Sequence, residues 1–147
     1  MIHGLRDATT QVLYTMACCQ AEYVGLSVVD QFVLADEACG VVRLRGVVDG
    51  LVAISCGLDL AQDMVSHIIG MAPDEIRRED LLDGIAELTN MICGGMKTHF
   101  GGGGHVDLLS PSSVIGKDYV AQWKTQNATS ILLFQVDGRP LRVSASF

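Results

Sequence analysis

The chain has 147 residues, 49% of them hydrophobic, and its 17 acidic against 10 basic residues give a net charge of −7. This length and hydrophobic content predict a single globular domain over residues 1–147 and exclude intrinsic disorder. The acidic balance predicts that neither nucleic acid nor a membrane surface is a partner, because the phosphate groups of both would be repelled.

The cysteines and the apolar segments indicate a cytoplasmic protein. The five cysteines are odd in number, include no CxxC pair and lie mostly inside apolar segments, which favours free thiols in a reducing compartment. The amino-terminal residues lack the basic and apolar regions of a signal peptide, and no apolar run approaches the ~20 residues of a membrane helix. We therefore expect a soluble protein without disulfides.

A helix and a strand are predicted at the start of the chain. Apolar residues spaced by three or four predict the helix over residues 5–18. Partial alternation of apolar and polar residues then predicts a strand over residues 23–34.

The strongest β signal follows. Two stretches with β character, 39–45 and 51–56, flank the dipeptide Asp49-Gly50, which favours a tight hairpin turn. Arginines alternate with apolar residues in the first of these stretches, so one side of that strand should face water.

Two further helices are predicted in the middle of the chain. The first spans residues 60–70, with Gly70 as its C-cap. A charged connection over 73–80, with room for a short helical turn, leads to the longest helix, 81–100. The glycine run 101–104 should end that helix, because four glycines lose too much backbone entropy to stay helical.

The carboxy-terminal part is predicted to form strands over residues 119–125, 129–136 and 141–147, with Asp137-Gly138 as a second hairpin turn. Together the elements predict an α/β (α+β) fold, an antiparallel-rich sheet covered on one face by long helices that include the first and the third. The last strand is predicted to be an apolar sheet edge, which invites pairing with a second copy.

The third predicted helix has two contrasting faces on a helical wheel. Its apolar stripe, which should face the sheet, consists of Leu81, Ile85, Leu88, Ile92 and Met96. The positions opposite are Asp83, Glu87, Asn90, Gly94 and Lys97. A solvated surface is the simplest interpretation of such a polar face.

Two residues of the polar face favour a functional interpretation instead. Asn90 is a weak helix former in mid-helix, and Gly94 costs about 1 kcal/mol relative to alanine. Gly94 would let another surface approach the helix backbone, with Glu87 and Asn90 projecting beside the gap. The pattern therefore predicts an interaction face over residues 83–97 with an amide at its centre.

The stretch DGIAELTNMICG, which begins at Asp83, resembles the signature helix of the CheC/CheX/FliY family of chemotaxis phosphatases. That signature is an acidic or serine residue followed by ExxN, with a proline some twenty residues further on, a place that Pro111 can take. The order of hairpin, helix and ExxN helix resembles the single-site CheX branch of the family. The family helix often has asparagine where this chain has Gly95, and the run 101–104 is also unusual.

The resemblance implies a phosphatase that hydrolyses the phospho-aspartate of a response regulator, a CheY-like receiver. Asn90 would orient the attacking water, since a carboxamide is neutral and carries both donors and an acceptor. Glu87 would pair with the active-site lysine of the receiver. Asp83, Gly94 and Lys97 are expected to contact the partner, with helix support as the alternative role of Asp83. No cofactor of its own is expected, because the phosphorylated receiver supplies the Mg²⁺. The resemblance also implies a homodimer.

Three alternatives compete with this interpretation. The main one is a non-catalytic CheX-like binding module that docks a receiver or a motor-switch protein, although docking alone would not require an amide beside a carboxylate. A metal site built from Cys93, His99 and His105 is disfavoured, because the first two fall on different helix faces. A phosphate cradle at 101–104 is disfavoured because no GK[ST] follows.

Overall fold

The computed structural model describes residues 1–100 and 104–147. Its helices are α1 (Ile2–Met16), α2 (Leu58–Ile69) and α3 (Arg78–Lys97), with a short 3₁₀ turn at Pro73–Glu75. Its strands are β1 (Ala21–Val29), β2 (Phe32–Leu34), β3 (Ala38–Gly46), β4 (Gly50–Cys56), β5 (Val106–Leu108), β6 (Ser112–Ile115), β7 (Ala121–Trp123), β8 (Thr129–Val136) and β9 (Arg139–Ser146).

Seven of the strands form one sheet in which the described neighbours are all antiparallel. The order across the sheet is β1-β8-β9-β4-β3-β5, and β6 also pairs with β3. The remaining two strands, β2 and β7, form a separate two-stranded sheet. The predicted antiparallel-rich fold is therefore confirmed.

The helices cover one face of the large sheet. Apolar residues of α1, α2 and α3 pack there on alternate residues of β3, β4, β8 and β9 in one continuous core. The small sheet covers part of the opposite face, where Phe32 packs edge-to-face on Trp123 at 5.9 Å above Val41 and Leu51 of β3 and β4. The prediction that long helices cover one face, the first and the third among them, is confirmed.

The two predicted hairpin turns differ in outcome. Asp137 and Gly138 both have positive φ angles, 52° and 73°, as a two-residue turn between β8 and β9 requires. Gly50, in contrast, already belongs to β4 and pairs with Leu44, so the predicted Asp49-Gly50 turn is wrong. The connection there is longer, and its Asp49 carboxylate accepts a hydrogen bond from the Gly46 N–H at 3.2 Å.

Several predicted boundaries are corrected by the structure. The predicted strand 23–34 is two strands, β1 and β2, which belong to different sheets. The predicted strand 119–125 shrinks to β7, and the short strands β5 and β6 were not predicted. Strands of three or four residues carry too little periodicity to be recognised.

The carboxy-terminal ends of α2 and α3 can be compared with the predicted ends. Gly70 caps α2 in the left-handed conformation with φ 70°, as predicted. Helix α3 ends at Lys97, three residues before the predicted end. The predicted connection at 101–104 lies outside the described residues except for Gly104.

Within the part that the structure describes, no helix is long and apolar enough to cross a membrane.

The largest correction concerns the sheet edge. The last strand, β9, was predicted to be an edge, but it lies between β8 and β4 and is hydrogen-bonded on both sides. One edge is β1, whose only partner among the described strands is β8, and the other is formed by the short strands β5 and β6, which both pair with β3. A strand's own apolar pattern shows which of its faces is buried, and it does not identify the neighbouring strands.

Candidate functional site

Helix α3 carries the predicted site and begins and ends with favourable electrostatics. The Asp80 carboxylate accepts a hydrogen bond from the Arg77 N–H at 3.1 Å, which satisfies a backbone donor at the amino-terminal end. Glu79 and Asp80 lie in the first turn and Lys97 in the last, and both placements complement the helix dipole. These local features favour a helix that begins at Arg78 and stabilise both of its ends.

Packing fixes α3 on three sides. Its buried residues are Leu81, Gly84, Ile85, Leu88, Thr89, Ile92, Cys93 and Met96, so the predicted apolar stripe is confirmed. A Cβ on Gly84 would lie only 2.5 Å from Val65 of α2, and one on Gly95 only 3.1 Å from Ala8 of α1. Close contacts with both helices and the sheet below hold α3 in a defined orientation.

The polar face of α3 remains at the surface. Asp83 and Glu87 are exposed, and Asn90, Gly94 and Lys97 are partly exposed. We call these five residues the outer ridge; at 1.5 Å rise per residue it is about 21 Å long. The structure therefore brings every sequence-predicted site residue onto one continuous surface.

Gly94 makes a gap in the outer ridge. No described atom outside the helix and its immediate neighbours lies within 4 Å of the position that a Cβ would take on Gly94. Gly84 on the same helix, by contrast, leaves no room for a side chain inside the molecule, and Gly95 leaves little. Packing within the described chain therefore does not explain Gly94.

The charged groups of the outer ridge are available to a partner. The ion pairs among the described residues join other side chains and do not involve Asp83, Glu87 or Lys97. The hydrogen bonds described for nearby α3 side chains also lie off the ridge; Thr89, for example, donates to the Ile85 carbonyl at 2.8 Å. A carboxylate and a carboxamide therefore stand one turn apart without internal partners in the described chain.

Strand β6 supports α3 along one side, a contact that the sequence reasoning missed. The Ser113 hydroxyl donates to the Leu82 carbonyl at 2.8 Å, and the Arg78 guanidinium donates to the Ile115 carbonyl at 2.7 Å. Pro111, the candidate for the proline of the signature, directly precedes this strand. A serine in so short a strand carries no sequence signal of such a contact.

The residues considered for a metal site do not converge. Cys93 is fully buried, and burial raises the pKa of its thiol to about 12, whereas His99 is exposed. His105 instead contacts Asp107, with 2.6 Å between its Nε2 and the carboxylate. Among residues 1–100 and 104–147, no group of three or more His, Cys, Asp or Glu side chains is arranged to hold a metal ion.

A comparison with protein families gives one match over most of the chain. The model of the family described as "Chemotaxis phosphatase CheX" matches residues 38–135, well over half of the sequence. The matched region contains the β3–β4 hairpin, α2 and the whole of α3. A comparison with curated protein sequences gives no significant match.

Solved structures of similar shape agree with this match. The chemotaxis protein CheX from Desulfovibrio desulfuricans has a TM-score of 0.87 at 24% identity, over 98% of this chain and 96% of that chain. CheX from Vibrio vulnificus has a TM-score of 0.81 at 20% identity, over 98% and 96%. A complex of CheX, CheY, BeF₃ and Mg²⁺ from Borrelia burgdorferi gives 0.72 at 21% identity, over 99% and 96%. At these identities the likenesses establish the fold.

Proposed function

This chain belongs to the chemotaxis phosphatase CheX family, and we propose that its outer ridge hydrolyses the phospho-aspartate of a CheY-like response regulator. The observation that carries this proposal is a carboxamide one helical turn from a carboxylate, on a rigid helix and beside an open gap at Gly94. The complex of CheX with CheY from Borrelia burgdorferi supports a receiver as the partner.

The chemistry requires little from the phosphatase beyond positioning. Water attacks the phosphorus, the bond between phosphorus and the aspartate oxygen breaks, and inorganic phosphate leaves a free aspartate on the receiver. The Asn90 amide orients the water through its acceptor and donors without adding negative charge beside the phosphoryl group. This is the role that a water-orienting glutamine has in GTPases.

The other residues of the outer ridge align the receiver. Glu87 pairs with the receiver's active-site lysine, and Gly94 lets the receiver approach the helix backbone. Asp83 and Lys97, at the two ends of the ridge, contact the receiver surface. Because these positions span about 21 Å, the ridge is long enough to fix the orientation of a docked domain.

The metal ion in this proposal belongs to the partner. The phosphorylated receiver brings Mg²⁺, as the composition of the Borrelia burgdorferi complex suggests, and this chain contributes no cofactor of its own.

We further propose that the encounter between this chain and the receiver takes place in the cytoplasm. The continuous core joins α1 and β9, which lie outside the matched region, to the rest of the chain, and this supports one CheX-like domain over residues 1–147.

We also propose that two copies of the chain pair along β1. This edge strand is nine residues long, and its exposed fractions are 58% at Val24, 49% at Leu26 and 61% at Val28. A long edge with unpaired backbone groups and apolar side chains favours addition of another strand. Pairing with a second copy of β1 would satisfy both edges at once and close the assembly as a two-fold dimer.

Substitution of Asn90 by alanine tests the proposed mechanism. We expect Asn90→Ala to keep the fold and receiver binding, because the side chain is off the buried stripe and Glu87 remains. Dephosphorylation should fall by a factor on the order of 10²–10³, the scale of losing one preorganised group that acts in the transition state. The measurement is phosphate release from a panel of phosphorylated receivers, together with thermal unfolding and binding to a BeF₃-loaded receiver.

A matched control comes from an amide on the other side of the molecule. Gln122 is exposed on β7, and Gln122→Ala should retain wild-type activity. If Asn90→Ala kept wild-type activity on the cognate receiver, the water-positioning role would be wrong. If the unchanged protein bound a receiver and released no phosphate from it, the non-catalytic binding module would be the correct function.

A further inference from the structure

A polar cleft lies on the sheet face opposite to the helices. It has a volume of about 350 Å³ and receives Arg43 and Arg45 from β3 and Lys124 from the segment after β7. Along β3, both arginines follow Val41 in alternation, and Val41 belongs to the core beneath the small sheet. The cleft therefore opens where the small sheet stops covering the large one.

Positive charge dominates this cleft although the protein is acidic overall. Asp49 carries the only carboxylate among the described lining residues, and this carboxylate accepts a hydrogen bond from the Gly46 N–H. Asp107 lies opposite Arg45 in the strand register, but its carboxylate is 2.6 Å from His105 Nε2. Among the described residues, no acidic group forms an ion pair with any of the three cations.

The backbone around the cleft is held in place. The Asn127 carbonyl accepts hydrogen bonds from the Ser146 hydroxyl at 3.1 Å and the Thr125 hydroxyl at 3.0 Å, which ties the segment after β7 to β9. The Arg43 carbonyl accepts a hydrogen bond from the Leu109 N–H at 2.9 Å. The cations therefore extend into one cleft from two anchored backbone segments, β3 and the segment after β7.

We propose that this cleft binds a small polyanion that carries two or more phosphate groups. Three cations beside a single lining carboxylate raise the local concentration of multivalent anions and suit charge-assisted hydrogen bonds to phosphate oxygens. The volume lies at the lower end of the range of small-molecule pockets, which favours a small ligand over a protein surface. No aromatic side chain is among the described lining residues, so recognition is of the phosphate groups rather than of a base.

This site is independent of the proposed phosphatase function. Arg43 and Arg45 point away from the face of β3 that packs beneath α3, where Val42 and Leu44 lie in the main core. Loss of anion binding should therefore leave dephosphorylation by the outer ridge unchanged, and the failure of either proposal leaves the other standing.

The test uses inorganic pyrophosphate as the probe, titrated into the full chain at low ionic strength by isothermal calorimetry. We expect saturable binding at a one-to-one ratio that weakens as salt is added. Arg43→Gln and Lys124→Gln should each reduce the affinity by roughly tenfold, the scale of one charge-assisted hydrogen bond. Both side chains are exposed, so both variants should give the circular dichroism spectrum of the unchanged protein.

Lys117→Gln is the matched control, because Lys117 is also an exposed lysine but does not line the cleft. It should bind pyrophosphate like the unchanged protein, whereas equal weakening by Lys117→Gln and Lys124→Gln would show non-specific attraction and overturn the proposal. Absence of binding at millimolar pyrophosphate would overturn it as well. A cleft that ignored pyrophosphate but bound a polyglutamate peptide through Arg43 and Lys124 would be a protein-docking surface instead.

Discussion

Glu87 and Asn90 stand one helical turn apart on the outer ridge, and their different chemistry assigns them different tasks in the proposed function. A carboxylate can hold a lysine but would repel a phosphoryl group, whereas a carboxamide can approach the phosphoryl group without repulsion. Since neither side chain has an ion-pair partner among the described residues, both can meet the receiver without first breaking an internal contact.

The proposed role of Glu87 predicts a difference between two substitutions. If Glu87 pairs with a lysine of the receiver, Glu87→Lys should weaken binding far more than Glu87→Gln. Truncating one member of a desolvated charge pair costs about 2–5 kcal/mol, and reversing the charge adds repulsion. Titration with a BeF₃-loaded receiver measures the effect. Asp30→Lys, a charge reversal at an exposed residue after β1, is the control and should not change receiver binding. Equal effects of the two Glu87 substitutions would contradict the proposed salt bridge.

Two glycines of α3, Gly84 and Gly94, lie in opposite surroundings. Gly84 is buried against α2 because a side chain there would overlap Val65, and Gly94 faces open space on the outer ridge. Both glycines lower the helix propensity of α3 by a similar amount. Gly84 allows close packing against α2, and Gly94 would allow the proposed approach of the receiver to the helix backbone. Such a difference between two identical residues of one helix can be tested directly.

Alanine substitutions of these two glycines should have opposite effects on stability. Gly94→Ala should raise the free energy of unfolding by up to about 1 kcal/mol, because alanine is the better helix former and meets no described atom. Gly84→Ala should lower it by about 1–3 kcal/mol, because its Cβ would be only 2.5 Å from the Val65 side chain. Urea unfolding measures both; a destabilised Gly94→Ala would show that the gap has an internal structural role.

A larger side chain at Gly94 separates stability from function. We expect Gly94→Leu to remain folded, since the position is open, and to lose receiver binding because the side chain fills the gap. Binding and phosphate release should then fall together, unlike the pattern expected for Asn90→Ala. Wild-type receiver binding by Gly94→Leu would show that the partner does not approach the helix backbone there.

We propose that copies of the chain associate through β1, one of the two edges of the large sheet. The apolar last strand is enclosed between β8 and β4, whereas β1 carries exposed apolar residues. The proposed dimer through β1 would extend the sheet into a second copy, with the outer ridge of each copy on the helical layer.

Charged substitutions on β1 test this dimer. We expect the double variant Leu26→Lys, Val28→Lys to be monomeric at a concentration at which the unchanged protein is dimeric, because like charges would face each other across the paired edges. Light scattering at high micromolar concentration measures the mass. Val120→Lys is the control, since Val120 is 72% exposed but lies outside β1, and it should stay dimeric. A strictly monomeric unchanged protein would contradict the proposal.

Local features of this protein could be predicted from its sequence alone. The spacing of Leu81, Ile85 and Leu88 was enough to separate the buried face of α3 from the outer ridge, because helical periodicity relates neighbouring turns directly. The Asp137-Gly138 turn was equally readable, since positive φ angles restrict which residues can occupy it. The ExxN spacing suggested the family, and the match over residues 38–135 confirmed it.

The features that depend on distant parts of the chain could be found only from the tertiary structure. The enclosure of β9 and the exposure of β1 follow from strand order, which no strand encodes in its own alternation. Arg43 was predicted to face water, but its meeting with Lys124 in one cleft required β7 to cross the opposite face of the sheet. Periodicity shows which face of an element is buried, whereas long-range pairing decides which surfaces meet. The outer ridge lies on one helix and follows from the first, whereas the cleft between β3 and the segment after β7 follows from the second.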